Sequence, residues 1–245
     1  MLEFSDKNLY AHEWEADFPE GLGHTSISYL KRCDGYHAAK NGDMLAAMCV
    51  VEKCVKLDRI VAVREQFPKA VLLPVISQNV IPLALASFIG LPVYTGVRRV
   101  DAQKRQGLPA ILRLMHKPEF SGRIISGMSY IIVDDVVTQG GTVASLRHYV
   151  LERGGTVLAI VALAFAIGSR AITMTRVNWV RMLLRFDRSK LENALETYGL
   201  CSNVRQLTNS QVGYILRFRS IHTFTSKLEK AAQLQEPVKK YDIAG

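Results

Sequence analysis

Three uncharged runs set the frame for this chain: VLLPV at Val71–Val75, YIIV at Tyr130–Val133, and VLAIVALAFAIG from Val157. None alternates apolar with polar residues, so each suits a strand covered on both faces rather than one with a wet side. Between them lie segments that start and stop like helices. IPLALASFIG opens with a proline near the first helical position and closes on Gly90, and Thr142–Arg153 runs into Gly154-Gly155. Apolar strands alternating with amphipathic helices predict an α/β class: a Rossmann-like parallel sheet with helices on both faces. LPVYTGV, residues 91–97, reads as a further strand. Upstream, Asp43 reads as the cap of a helix from Met44 to about Lys56, with Leu45, Met48, Cys49, Val51 and Val55 as its apolar set.

Beyond Gly168 the strands cease. RVNWVRMLLRF, DRSKLENALETYG and NSQVGYILRFRSIHTFTSKLEKAAQ read as helices, with Gly199 as a stop and Asn209 or Ser210 as a start. The pattern divides the chain into an α/β core with an N-terminal helical segment, 1–168, and a basic helical C-terminal extension, 169–245. The net charge of +9 follows the same division. The first part holds 18 Lys/Arg against 16 Asp/Glu, the second 13 against 6. Such an excess fits either solvated helical faces or an acidic partner: nucleic acid, a polyphosphate or a second subunit. RNP-like, zinc-finger and heptad signatures are absent, so no motif points to nucleic acid.

Membrane and secretory classes fit poorly. Residues 70–94 carry no charge, but Pro74, Pro82 and Pro92 with the polar Ser77-Gln78-Asn79 break that run, and the run from Val157 is too short to span a bilayer. The acidic N-terminus lacks an apolar signal region, and Cys33, Cys49, Cys54 and Cys201 form no CxxC pair or zinc spacing. The expectation is a reduced, cytoplasmic protein without a membrane partner.

The chemistry concentrates in IIVDDVVTQGGTVASL, residues 131–146. Gly140-Gly141 before a helix start lets backbone amides approach an anion, and Thr138 and Thr142 add hydroxyl donors. The spacing is neither a Walker A loop nor a dinucleotide fingerprint. Asp134 and Asp135 read as lying at the carboxyl end of their strand, where open α/β sheets bind ligands. Carboxylates beside a phosphate repel it unless they accept hydrogen bonds from hydroxyls or face a cation. A phosphorylated ribose meets both conditions, with hydroxyls for the acids and a 5′-phosphate for the loop.

VDDVVTQGGT, residues 133–142, resembles the phosphoribosyl-pyrophosphate (PRPP) signature of the type I phosphoribosyltransferases. The likeness in order of elements covers roughly residues 60–168. It implies that fold, with Asp134 and Asp135 on the ribose hydroxyls and Thr138, Gln139, Gly140, Gly141 and Thr142 around the 5′-phosphate. It implies a pyrophosphate loop at Ser77, Gln78 and Asn79, and a closing loop from Arg98 to Lys117 whose Arg98, Arg99, Lys104 and Arg105 neutralise departing pyrophosphate. It further implies Mg²⁺ carried with PRPP, no dedicated protein metal site, and a homodimer.

Two positions depart from the pattern. Hypoxanthine–guanine members carry an aspartate where this chain has Thr138, which weakens a 6-oxopurine acceptor. Gln139 is bulkier than the residue many members place there. The acceptor is recognised in this family by a variable hood, for which Tyr36, His37, Lys40 and Asn41 are candidates, together with residues beyond Gly168. The resemblance implies transfer of the 5-phosphoribosyl group from PRPP to a nucleobase-like acceptor with release of pyrophosphate. The alternative is a PRPP- or nucleotide-binding regulator that uses its basic C-terminal region on nucleic acid or a protein partner.

Overall fold

A computed structural model describes residues 27–100, 108–166 and 172–233. Lys104 and Arg105, the first 26 residues, the Gly168 boundary and the final QEPVKKYDIAG segment lie outside the described residues. The chain divides into two compact units, one of Met1–Ala102 with Pro118–Ile172, the other of Gln103–Lys117 with Thr173–Gly245. Sequence pattern alone does not assign residues 103–117 to the second unit.

The first unit opens with helices α1 (Ile27–Arg32), α2 (Tyr36–Lys40), α3 (Met44–Cys54) and α4 (Leu57–Gln66). Strand β1 (Val71–Pro74), helix α5 (Ile81–Ile89) and strand β2 (Val97–Arg99) follow. In chain order come α6 (Ala110–Met115), which belongs to the second unit, then β3 (Phe120–Gly122), β4 (Ser129–Val137), α7 (Gly141–Glu152) and β5 (Thr156–Phe165). The sheet runs β1-β4-β5 with all pairs parallel.

Residues of β4 alternate between two cores. Ile131 and Val133 pack with Val50, Ile81 and Leu85 from α3 and α5, while Tyr130 and Ile132 pack with Val143, Leu146 and Val150 from α7. Both faces are therefore covered, which is why the strand sequences lack alternation. Asp43 caps α3 by accepting from the Ala46 amide at 3.0 Å. Gly90, with φ 75°, closes α5 in a left-handed conformation that a side chain would strain.

Four sequence expectations within residues 43–137 need correction. Helix α3 ends at Cys54 and buries Ala47, Val50, Val51 and Cys54, leaving Leu45, Met48 and Cys49 exposed, because small residues face its neighbours α2 and α5. The segment 91–97 supplies a single parallel bridge, Val93 to Leu72, not a full strand. The closing-loop candidate from Arg98 to Lys117 is not all loop. It holds α6, and β2 pairs antiparallel with β3, Arg98 opposite Ser121 and Arg99 opposite Phe120. Finally, β4 continues to Val137, so the two aspartates lie inside a paired strand, with Asp134 in register with Ala162.

The second unit continues with α8 (Arg176–Arg185), α9 (Arg188–Thr197), α10 (Asn209–Ile215) and α11 (Ile221–Gln233). Its core brings Trp179, Met182, Leu195, Phe224 and Leu228 together with Ile111 and Leu114 of α6. Thr175 and Asp187 cap α8 and α9 through side-chain acceptors. The segment from Asn209 is two helices rather than one. Thr208, not Asn209 or Ser210, caps the first, in a reciprocal capping box with Gln211. Among the described residues no helix is long and apolar enough to cross a membrane.

Leu85 is fully buried between α5 and the sheet. Leu85→Ala is expected to lower unfolding stability by about 2–5 kcal/mol, read as a shifted urea midpoint with an unchanged slope.

Candidate functional site

Parallel strands place their carboxyl ends along one edge, and both candidate ligand loops leave from that edge. The loop Ile76–Val80 follows β1, and Thr138-Gln139-Gly140 follows β4, its immediate neighbour in the sheet. The first loop is tied on both sides. The Arg99 amide donates to the Ile76 carbonyl at 2.9 Å, and the Val80 amide donates to the Ala39 carbonyl of α2 at 3.2 Å. Helix α2 is thereby held against the pyrophosphate-loop candidate.

The loop uses its own polar groups. Ser77 Oγ accepts from the Asn79 amide, and Asn79 Oδ1 accepts from the Ile81 amide, both at 3.2 Å. The amides of residues 79–81, expected to face a ligand, therefore have acceptors within the protein. Gln78 is exposed at the tip. Arg98 is exposed on β2 and Arg99 half-buried.

Asp134 and Asp135 are buried, 7% and 3% exposed. Tyr36 and Lys40, one turn apart on α2, converge on the second of them. Lys40 Nζ donates to Asp135 Oδ2 at 2.8 Å, and the Tyr36 hydroxyl donates to the same oxygen at 3.3 Å. A charge buried this far needs a partner, and here it has a cation and a phenol. Asp134 Oδ1 accepts from the Asp135 amide at 2.9 Å. Burial, and then the neighbouring Asp135 charge, push the Asp134 carboxyl well above the usual carboxylate range, with Lys40 acting in the opposite direction. Burial likewise raises the Tyr36 phenol, with Asp135 second, so it remains a donor.

The phosphate-loop candidate has the expected local form. Gly140 takes a left-handed φ of 73° as the residue before α7, and no side chain caps the helix. The first amides of α7 have no acceptor within the helix, and they carry the positive end of its dipole. Thr138 is exposed; Gln139, Gly141 and Thr142 are half-buried. His37 and Asn41 are exposed and bond each other locally, Asn41 Nδ2 to the His37 carbonyl at 3.0 Å. Of the four hood candidates, Tyr36 and Lys40 alone are seen to reach the acid pair.

These residues do not form a protein cage for Mg²⁺. Such an ion takes near-octahedral oxygen donors. Among the described residues there is no group of three or more His, Cys, Asp or Glu that could hold a metal, and Asp135 is bonded to an ammonium. A Mg²⁺ ion arriving on PRPP would depend on the ligand's own oxygens.

No protein-family model matches the chain. It is 35% identical over 154 residues to the protein TraN of Escherichia coli, covering 58% of this chain and 34% of that protein. It is 28% identical over 163 residues to an uncharacterised protein of Haemophilus influenzae, covering 62% and 36%. The chain thus spans about a third of the length of these curated relatives. Similar solved structures include an adenine phosphoribosyltransferase, at 18% identity and a TM-score of 0.33, covering 50% of this chain and 69% of that one. A purine phosphoribosyltransferase from Pyrococcus horikoshii gives 20% and 0.31, covering 44% and 72%. The adenine enzyme of Saccharomyces cerevisiae gives 17% and 0.32, covering 56% and 73%. At these scores the overlays carry no argument about the site, which rests on its own residues.

The raised Asp134 group gives a signed pH effect. Between the ordinary carboxylate value of 3.8 and the folded value, the folded chain binds more protons at this site than the unfolded chain. Its contribution is full below 3.8 and is lost as pH rises through the folded value. Asp134→Asn, which keeps an acceptor for the Asp135 amide, is expected to be more stable than the parent at pH 8, with the difference closing toward about pH 4 in urea titrations. A constant difference across that range would remove the buried-proton assignment.

Proposed function

We propose that the α/β unit binds PRPP at the carboxyl end of β4 and transfers its 5-phosphoribosyl group to a nucleobase-like acceptor. The observation that carries this reading is the joint placement of the acid pair, the TQGGT loop at an uncapped helix start, and the Ser77–Asn79 loop at one sheet edge. In this reading Asp134 and Asp135 receive the ribose hydroxyls, and Thr138–Thr142 receive the 5′-phosphate. Ser77, Gln78 and Asn79 border the pyrophosphate, with Arg98 and Arg99 as its charge partners, while Lys104 and Arg105 lie outside the described residues. Any Mg²⁺ enters on the ligand. The acceptor's lone pair forms a bond to ribose C1 as the C1–O bond breaks, and that electron pair leaves with pyrophosphate. Positioning and charge stabilisation, without a covalent nucleophile, are what such residues can supply. Two copies of the chain associate in this proposal, as the family resemblance implies.

A second reading has its own observation. Helix α8 carries Arg176, Arg181 and Arg185 exposed and no acidic residue, beside exposed Val177, Val180 and Leu184. A regulator could use this face on nucleic acid while the α/β unit senses a phosphoribosyl ligand.

Calorimetric titration with PRPP, followed by pyrophosphate-release assays across nucleobases, tests the first reading. Binding with release on one base is expected, and Asp135→Asn is expected to weaken PRPP about tenfold or more. Unchanged PRPP affinity in that variant would remove the ribose assignment. For the second reading, a gel shift with total RNA or DNA is expected to weaken steeply with added salt and to weaken again in Arg181→Ala/Arg185→Ala. Absence of any shift at low salt would exclude it.

A further inference from the structure

We infer that Lys40 is a ligand-positioning residue of this site, supplying beside the ribose-facing carboxylate the positive charge that a divalent cation could otherwise provide. The inference rests on the phosphoribosyl reading above and deepens it.

Geometry carries it. An ammonium has three N–H groups, and Lys40 gives one to Asp135 Oδ2 at 2.8 Å. Its side chain is 23% exposed while that of Asp135 is 5% exposed, so solvent still reaches the ammonium, and among the described residues Asp135 is its hydrogen-bond acceptor. Lys40 is also fixed in place. Tyr36, one turn earlier, is buried and donates to the same carboxylate oxygen, and the Ala39 carbonyl between them is tied to Val80 of the neighbouring loop. This lysine belongs to the frame of the site, 95 positions away in sequence from its partner.

The chemistry follows from donor and acceptor capacity. A ribose hydroxyl can donate to Asp135 and accept from Lys40 at the same time. With the ammonium in place, the acid pair repels a sugar phosphate less than two bare carboxylates would. The sugar-phosphate half of the ligand then binds without a divalent ion, and any Mg²⁺ requirement is confined to the pyrophosphate half.

Ribose 5-phosphate, which lacks pyrophosphate, is the probe. The full chain is titrated calorimetrically with it and with PRPP, each in EDTA and in Mg²⁺. Ribose 5-phosphate is expected to bind equally in both conditions. Lys40→Gln is expected to weaken it about tenfold and to make the remaining binding rise with Mg²⁺, and Lys40→Arg to restore cation-independent binding. Binding by the parent chain that disappears in EDTA and returns with Mg²⁺ overturns the inference and leaves the phosphoribosyl reading standing, as does unchanged affinity in Lys40→Gln. Binding of neither ligand in either condition overturns that reading and the inference with it. Should Lys40→Gln not fold, the parent chain and Lys40→Arg in EDTA decide alone.

Discussion

A strand buried on both faces can carry a carboxylate only where something else in the fold answers its charge. Strand β4 carries two in succession, and the arrangement around them is the constraint on which the α/β unit depends. Side chains alternate along a strand, so neighbouring acids cannot share one partner in one way. The two have different solutions. Asp135 meets Lys40 and Tyr36, while Asp134 takes the Asp135 amide and is pushed toward its neutral form by burial. Helix α2 is short, only five residues, and by itself would be marginal in water. Its place is set by Tyr36 and Ala39 in the core and by its two links to β4 and the Val80 loop.

The same constraint explains why the candidate loops are ordered as they are. Ser77 and Asn79 spend their side chains on loop amides, which fixes the turn between β1 and α5 without outside help. The glycine loop does the opposite. Gly140 turns the chain into α7, and no side chain caps that helix start. Side chains hold the amides of the first turn, whereas none caps the start of α7.

Much of this is written locally in the sequence. The apolar runs give β1, β4 and β5, Asp43 and Gly90 mark helix ends, and TQGGT marks the anion loop. These features depend on residues a few positions apart. What is not legible depends on distance. The exposed Leu45 and Met48 look like core until α2 and α5 are seen to need small residues on the facing side of α3. The β2–β3 ladder joins segments of three residues each, too short to show a pattern. Thr208 has a capping-box partner in Gln211, a signal that was present in the sequence and outweighed by the long helical run after it. Lys40 and Asp135 have no sequence relation at all, although GYHAAKNGD is polar enough to be noticed.

Charge, summed over the site, is less negative than two adjacent aspartates alone would make it. Two aspartates alone would make this edge strongly negative. Burial keeps Asp134 toward the protonated form, the Lys40 ammonium offsets Asp135, and the start of α7 contributes the positive end of a twelve-residue helix dipole. Burial of Asp134 and the Lys40 ammonium both reduce the negative charge at the acids, while the helix start carries positive charge. That gradient arises from this chain's own groups. The polarity of the site is set by the fold before any ligand or cation arrives.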